Sequence, residues 1–460
     1  MRPDALAATA ADLLDRFVNR PQPLGGLITG WARANRFAGS GDRRRLGNLL
    51  FAIVRDLEAC FALCREDRPG GRDLLLAALA RDALPADFAD AAVLFSGGPH
   101  GLAPLSDEEH ATLAIWRTEA VEGPAAVNVP DHLWVDVSTQ MTSAGLDAGA
   151  EASALTGPAP LDLRVNTLKA SLEPVLAALR AECIDAQSLD WVPGALRIGE
   201  GESGRAPRLV DHPLYTEGSF EVQDAGAQAA SLSVGARPGE QIVDLCAGAG
   251  GKTLALAAAM HNRGQIHAFD IDPGKLQVLR ERAARAGVHC VQAHRLDDAW
   301  AAQDGTPDVL QVLTRRMDRV VVDAPCSGSG TWRREPHLRW MWSRDALERI
   351  RASQARLLAR AADLVKPGGW LVYITCSVLR SENDAQIQSF LQAEGGNFAP
   401  DCPDAQSGGA AGPGPGAEEQ NRPGATNVTD WAARSEYGWV MTPGRHGTDG
   451  FYISLLRRLA

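Results

Sequence analysis

From residue 1 to about 125, apolar residues recur at spacings of three and four, as in ADLLDRF, RRRLGNLLFAIVRDLEACFALC and RDLLLAALARD. That period predicts an all-helical domain over 1–125. Between 126 and 215 the elements are shorter and broken by Pro and Gly; LDLRVNTLK reads as a strand and SLEPVLAALRAEC as a helix, which predicts a small α/β domain. From 216 to 460 strands alternate with longer helices: QIVDLCAG, TLALAAAMH, GQIHAFDID, GKLQVLRERAARAG, VHCVQAH, DRVVVDAP, ALERIRASQARLLARAADLV and GWLVYITCS. Such alternation predicts a doubly wound, Rossmann-like parallel sheet. Residues 403–428, rich in Gly, Pro and Ala and poor in large apolar side chains, are expected to be a mobile loop. The runs in EYGWVMTPGRHGTDGFYISLLRRL are expected to close the sheet edge as a hairpin.

Composition narrows the function classes. A chain of 460 residues with a 45% hydrophobic share fits two or three soluble domains. No run of eighteen apolar residues occurs, and acids interrupt MRPDALAATAADLLDRF where a secretory signal needs an apolar stretch, so a cytoplasmic protein without membrane contact is expected. The eight cysteines lack paired CxxC spacing, which predicts reduced thiols and no metal. Cys60 and Cys64 lie four apart with no third ligand nearby and read as core residues. A net charge of -11 excludes indiscriminate nucleic-acid binding, because phosphate neutralisation supplies most non-specific affinity. Any RNA contact must be local. Arg33, Arg36, Arg43, Arg44 and Arg45 form one basic cluster, a solvated helix face or an RNA contact.

The candidate chemistry sits at strand ends. Asp244-Leu245-Cys246-Ala247-Gly248-Ala249-Gly250-Gly251-Lys252-Thr253 runs from a strand into a helix, with glycines that let the backbone turn tightly against a ligand. Gly251, Lys252 and Thr253 match the end of a phosphate-binding loop, but Cys246 stands where its first glycine belongs. Asp270 ends the next strand, placed to accept hydrogen bonds from ribose hydroxyls, and the pair favours an adenosine cofactor. Asp270 could instead cap the helix beginning at Pro273, for which Asp272 is better placed. Asp297 and Asp298 are two candidates for an adenine contact. Asp323, Cys326 and Cys376 lie at the ends of two later strands, facing the side of an open sheet where substrates bind. Either cysteine alone is most simply a small buried apolar residue; two at strand tips suggest thiolate chemistry, with Lys252 able to favour ionisation.

DLCAGAGGKT, DAPCSGSGTWRREP and TCSVLRSEN resemble the signature motifs of the RsmB/NOP family of RNA cytosine-5 methyltransferases, as do RVNTLK, FEVQDAGAQ and HGTDGFYISLLRR. The likeness covers about residues 126 to 460, and GDRRRLGNLLFAIVR is similar to the antitermination-factor-like helical domain of the RsmB branch. Gly248 and Ala249 depart from the Ala-Pro pair common in the family loop. The resemblance implies S-adenosyl-L-methionine as cofactor, held by Cys246, Ala247, Gly248, Gly250, Lys252, Asp270, Asp297 and Asp323. It implies that Cys376 attacks carbon 6 of a cytosine in small-subunit ribosomal RNA, that Cys326 assists release, and that Asp323 and Lys252 face the base. Arg164, Asn166, Arg333 and Arg334 are candidate RNA contacts, whereas Trp332 and Trp340 read as packing residues. A monomer is expected. The rival readings are a tRNA or DNA cytosine-5 methyltransferase, a nucleotide-hydrolysing RNA factor and a non-catalytic RNA-binding adapter.

Overall fold

Val320, Val321 and Val322 are all fully buried, as a parallel strand covered on both faces requires. They lie in the middle of the larger of two sheets. The computed structural model describes residues 1–66, 68–199, 207–296, 310–400 and 432–459, so the 403–428 segment and Asp297 and Asp298 lie outside the described residues.

In chain order, β1 is Leu161–Val165, β2 Ala186–Ser188, β3 Ala195–Ile198 and β4 Phe220–Val222. They form a four-stranded antiparallel sheet in the order β2-β3-β1-β4. The helix Leu172–Ala181 offers Val175, Leu176 and Leu179 to a core shared with Leu163, Val165, Leu196 and Phe220. The larger sheet contains β5 (Gln241–Asp244), β6 (Gln265–Asp270), β7 (Val291–Arg295), β8 (Met317–Asp323), β9 (Val365–Thr375), β10 (Phe398–Pro400), β11 (Ala433–Arg434), β12 (Trp439–Met441) and β13 (Phe451–Arg458). Its order is β11-β12-β13-β9-β8-β5-β6-β7, with β10 paired to β13. β5 to β9 run parallel, and β13 pairs antiparallel with both β9 and β12, so the expected closing hairpin is present. This is a Rossmann-like sheet. Its strand order reverses beside β5, which opens a crevice beyond the carboxyl ends of β5 and β8.

Contacts divide the chain into two compact units. One comprises Met1–Ser138, Asp147–Pro158 and Thr331–Ala346; the other comprises Thr139–Leu146, Ala159–Gly330 and Leu347–Ala460. Composition suggested breaks near 125 and 215, whereas the spatial units follow contacts and place both sheets in the second. The first unit is helical. Pro3–Asn19, Ser40–Arg55, Leu57–Cys64 and Gly71–Ala80 surround a core that includes Leu14, Phe17, Leu50, Ile53, Leu75 and Phe88. Cys60 is buried in that core and Cys64 packs against it. The segment Thr331–Ala346 belongs here because of its aromatic side chains: Trp340 packs on the helical core, edge-on to Phe61 at 5.6 Å, and Trp332 is buried beneath the Arg339 guanidinium at 4.9 Å. Among the described residues, no helix is long and apolar enough to cross a membrane.

In the second unit, Gly330 and Gly450 meet backbone to backbone. The Gly450 amide donates to the Gly330 carbonyl at 2.8 Å, and a Cβ on Gly330 would lie 2.0 Å from the Gly450 oxygen. Gly330→Ala is therefore expected to destabilise the protein by about 1–3 kcal/mol, the usual cost of overpacking, seen as a lower midpoint in thermal denaturation.

Candidate active site

The loop after β5 is shaped by glycine. Gly250 sits at φ +85° as the cap of the helix Gly251–Ala259, and a Cβ there would approach Leu279 Cγ to 2.8 Å. The Ala247 amide donates to the Phe269 carbonyl at 2.9 Å, which moors the loop to the end of β6. The Gly248 amide donates to Asp270 Oδ2 at 2.8 Å, while Asp270 Oδ1 accepts from the Asp272 amide at 2.8 Å. Each oxygen of Asp270 retains a second lone pair. Asp272, not Asp270, caps the helix Pro273–Ala286, accepting from the Gly274 and Lys275 amides. Asp244 is buried at the tip of β5 and accepts from Thr253 Oγ1 at 2.7 Å. Burial pushes its carboxyl up to about 7. Burial likewise pushes the Cys246 thiol well above its ordinary value, so this sulfur is a neutral wall of the loop.

The adjacent strands bring the second half of the site. Asp323 at the end of β8 is in register with Ile374 on β9, so the two strand tips lie level. The loops leaving them place Cys326 Sγ 3.4 Å from Cys376 Sγ. The hydrogen bond with Cys376, and then burial, raise the Cys326 thiol well above its ordinary range and keep it protonated. Lys252, from the glycine loop, donates to Asp323 Oδ2 at 2.6 Å, and its ammonium lies 5.4 Å from the Phe451 ring centroid. Burial alone would lower the lysine, but attraction to Asp323 outweighs it and the net shift is upward. A cation, a carboxylate and two thiols therefore converge from three strand ends. Among the described residues, no group of three or more His, Cys, Asp or Glu could hold a metal ion.

One residue behind the thiols carries no mark in the sequence pattern. Glu382, in the turn Arg380–Glu382, is fully buried and hydrogen-bonds Ser327 and Ser377, the residues that follow the two thiols. It lies in the quoted TCSVLRSEN run, but one acid in a turn has no periodicity to mark it. The expected RNA contacts fare differently from the thiols. Asn166 is buried, its amide donating to the Gly218 and Ala286 carbonyls at 2.8 Å each and its oxygen accepting from the Leu168 amide. These bonds tie three backbone segments together. Arg164 is mostly buried, its Nε donating to Gln223 Oε1 at 2.6 Å, and burial lowers it to about 10. Arg333 and Arg334 fall in the helical unit, the first buried and the second half-buried.

Residues 232–457 match the family model described as 16S rRNA methyltransferase RsmB/F, and residues 127–203 match a ferredoxin-like domain model of RsmF/B-like methyltransferases. A probable ribosomal RNA small subunit methyltransferase B of Synechocystis sp. is 38% identical over 232 residues, covering 50% of this chain and 50% of its own. The similarly named protein of Bacillus subtilis is 29% identical over 301 residues, covering 65% of this chain and 60% of its own. The chain thus spans half to three fifths of the length of these curated relatives. A solved methyltransferase homolog from Pyrococcus horikoshii is similar at 26% identity and a TM-score of 0.55, covering 73% of this chain and 97% of that one.

The Asp244 carboxyl gives a pH test. Its folded-state value is raised to about 7, so the folded protein holds a proton that the unfolded chain releases. The stability this contributes is complete in acid and is lost as pH rises toward about 7. Asp244→Asn, which keeps a neutral group at every pH, is expected to flatten that decline in denaturant titrations of the cofactor-free protein. Parallel pH profiles for the two proteins would contradict it.

Proposed function

Because this chain belongs, over residues 127–203 and 232–457, to the family of RsmB/F ribosomal RNA methyltransferases, we propose that it methylates carbon 5 of a cytosine in small-subunit ribosomal RNA through a covalent cysteine adduct. It acts as a cytoplasmic monomer with S-adenosylmethionine as methyl donor. The observation that carries this reading is the 3.4 Å approach of two thiols beside the Asp323–Lys252 pair. The glycine loop and Asp270 fit the cofactor: the backbone turns without side chains, and a carboxylate with free lone pairs stands at the neighbouring strand tip. Cys246, Ala247, Gly248 and Gly250 would line its path, with Asp297 or Asp298 as the adenine contact. Bound there, S-adenosylmethionine supplies an electrophilic methyl group.

Carbon 5 of cytosine is a weak nucleophile, and a thiolate adding to carbon 6 converts it into an enamine carbon. Cys376 is the attacking sulfur in this account, as the likeness of its TCS motif to the family's implies. Asp323 faces nitrogen 3 and the exocyclic amine, and the proton that nitrogen 3 takes up as the carbon–sulfur bond forms comes from the Lys252 ammonium by way of the carboxyl hydrogen-bonded to it. Lys252 keeps that carboxylate in place. Carbon 5 takes the methyl group and then gives its proton to a water base; the electrons of that carbon–hydrogen bond rebuild the ring double bond, the carbon 6–sulfur bond breaks, and Cys376 leaves as a thiolate. Cys326, the nearest thiol, assists this release by meeting the departing sulfur. The target base must leave its stack, so looped or single-stranded RNA is favoured.

The same contacts argue against a nucleotide hydrolase. Lys252 and Thr253, which would grip phosphates, are bound instead to Asp323 and Asp244. The second thiol, Cys376, 3.4 Å from Cys326, also disfavours the DNA-type reaction, in which the Pro-Cys sulfur attacks. We assign RNA docking to the helical unit, where Arg33, Arg36, Arg43 and Arg44 are exposed, with Arg334 as a further contact.

Incubation with RNA carrying 5-fluorocytosine is expected to trap a covalent adduct, because fluorine blocks loss of the carbon 5 substituent. Cys376→Ala is expected to abolish the adduct and Cys326→Ala to retain it, as read by denaturing gel electrophoresis. An adduct that depends on Cys326 alone would reverse the assignment.

A further inference from the structure

The two thiols lie on separate loops, and loops hold a distance only when something fixes them. The buried Glu382 carboxylate receives hydrogen bonds from both. Its Oε1 accepts from the Ser327 amide at 2.8 Å and from Gln354 Nε2 at 3.2 Å; its Oε2 accepts from the hydroxyls of Ser327 and Ser377. Ser327 follows Cys326 and Ser377 follows Cys376. Gln354 also donates to the carbonyl of Pro325, which precedes Cys326, at 3.0 Å. The turn that carries Glu382 is fastened to β9 by the Tyr373 hydroxyl, which donates to the Glu382 carbonyl at 2.8 Å.

Burying a carboxylate costs several kcal/mol unless hydrogen bonds satisfy it. Here four donors do so, and three of them come from the residues that follow the two cysteines. An apolar residue could fill this volume but could not join the loops. A glutamine would keep the shape while offering one acceptor oxygen, and it would turn two N–H donors toward groups that already donate. The site calls for an acceptor with two oxygens, which a carboxylate supplies.

We propose that Glu382 is a positioning residue for the methyl transfer, gathering the backbones behind Cys326 and Cys376 onto one carboxylate and so fixing the sulfur-to-sulfur separation that release of the adduct requires. The proposal rests on the covalent mechanism above. It makes no contact with substrate or cofactor necessary.

The test compares full-length wild type, Glu382→Gln and Ser377→Ala in two measurements. The first is steady-state methylation of ribosomal RNA with S-adenosylmethionine. The second is the rate at which the oxidant diamide joins Cys326 to Cys376 in the free protein, mapped by mass spectrometry of peptides. The variants are expected to lose roughly 10- to 100-fold in kcat and in the rate of pairing, the scale of an ångström misplacement, while KM for S-adenosylmethionine stays within about twofold. A merely structural role would leave the pairing rate per folded molecule unchanged. If Glu382→Gln does not fold, Ser377→Ala decides, since it removes one hydroxyl from the carboxylate and leaves the Ser327 amide in place. Wild-type values of kcat and pairing rate in a folded variant overturn the proposal. Wild-type protein that pairs its thiols under diamide but never methylates RNA overturns the functional reading and leaves the clamp standing.

Discussion

β8 and β9 run parallel and side by side, with Val320, Val321 and Val322 facing Leu371, Val372 and Tyr373 in register. The rest of the site depends on this pairing. A one-residue slip would turn every side chain on one strand to the opposite face and break the fitted packing on both buried faces of the sheet, so the register is strongly fixed. With the register fixed, the tips lie level and both cysteine loops leave from the same height. β5 flanks β8 on the other side, which brings Lys252 within reach of Asp323. A sheet stabilised by burial of apolar residues thereby assembles polar chemistry at its edge, far from those residues in sequence.

The polar groups behind the site follow a common rule. Asp244, Glu382 and Asp384 are all fully buried carboxyls, and each is met by protein donors: Thr253 for the first, Ser327, Ser377 and Gln354 for the second, and Gln140, Ser435 and the Tyr452 hydroxyl for the third. Interior carboxyls are costly when unpaired and fix geometry when paired. They join loops that have little apolar surface of their own. The loops behind the crevice are thus hydrogen-bonded to buried carboxyls, while Asp323, Cys326 and Cys376 are only half-buried.

The alternation of strands and helices made the large sheet legible in the sequence, and the motifs DLCAG, DAPC and TCS marked its functional ends. Adjacency of those ends is a different matter. Cys326 and Cys376 are fifty residues apart, and only the strand order, a property of the folded sheet, brings them together. The helix-capping role of Asp272 was readable because a cap is local chemistry. The burial of Asn166 was not, since its partners Gly218 and Ala286 are remote in sequence. The same holds for the segment Thr331–Ala346. Its tryptophans were identifiable as packing residues, but which core receives them depends on tertiary contacts. Glu382 falls between the two cases, adjacent to a motif yet defined by a loop 55 residues away.

The proposed reaction turns on the atom that receives the methyl group, and nucleoside mass spectrometry addresses it directly. Unmodified small-subunit ribosomal RNA would be incubated with this protein and S-adenosylmethionine bearing a deuterated methyl group, then digested. The account predicts 5-methylcytidine carrying the label and none when Cys376→Ala replaces the wild type. Label on a ribose oxygen or an exocyclic nitrogen, or label on carbon 5 that persists without Cys376, would contradict it.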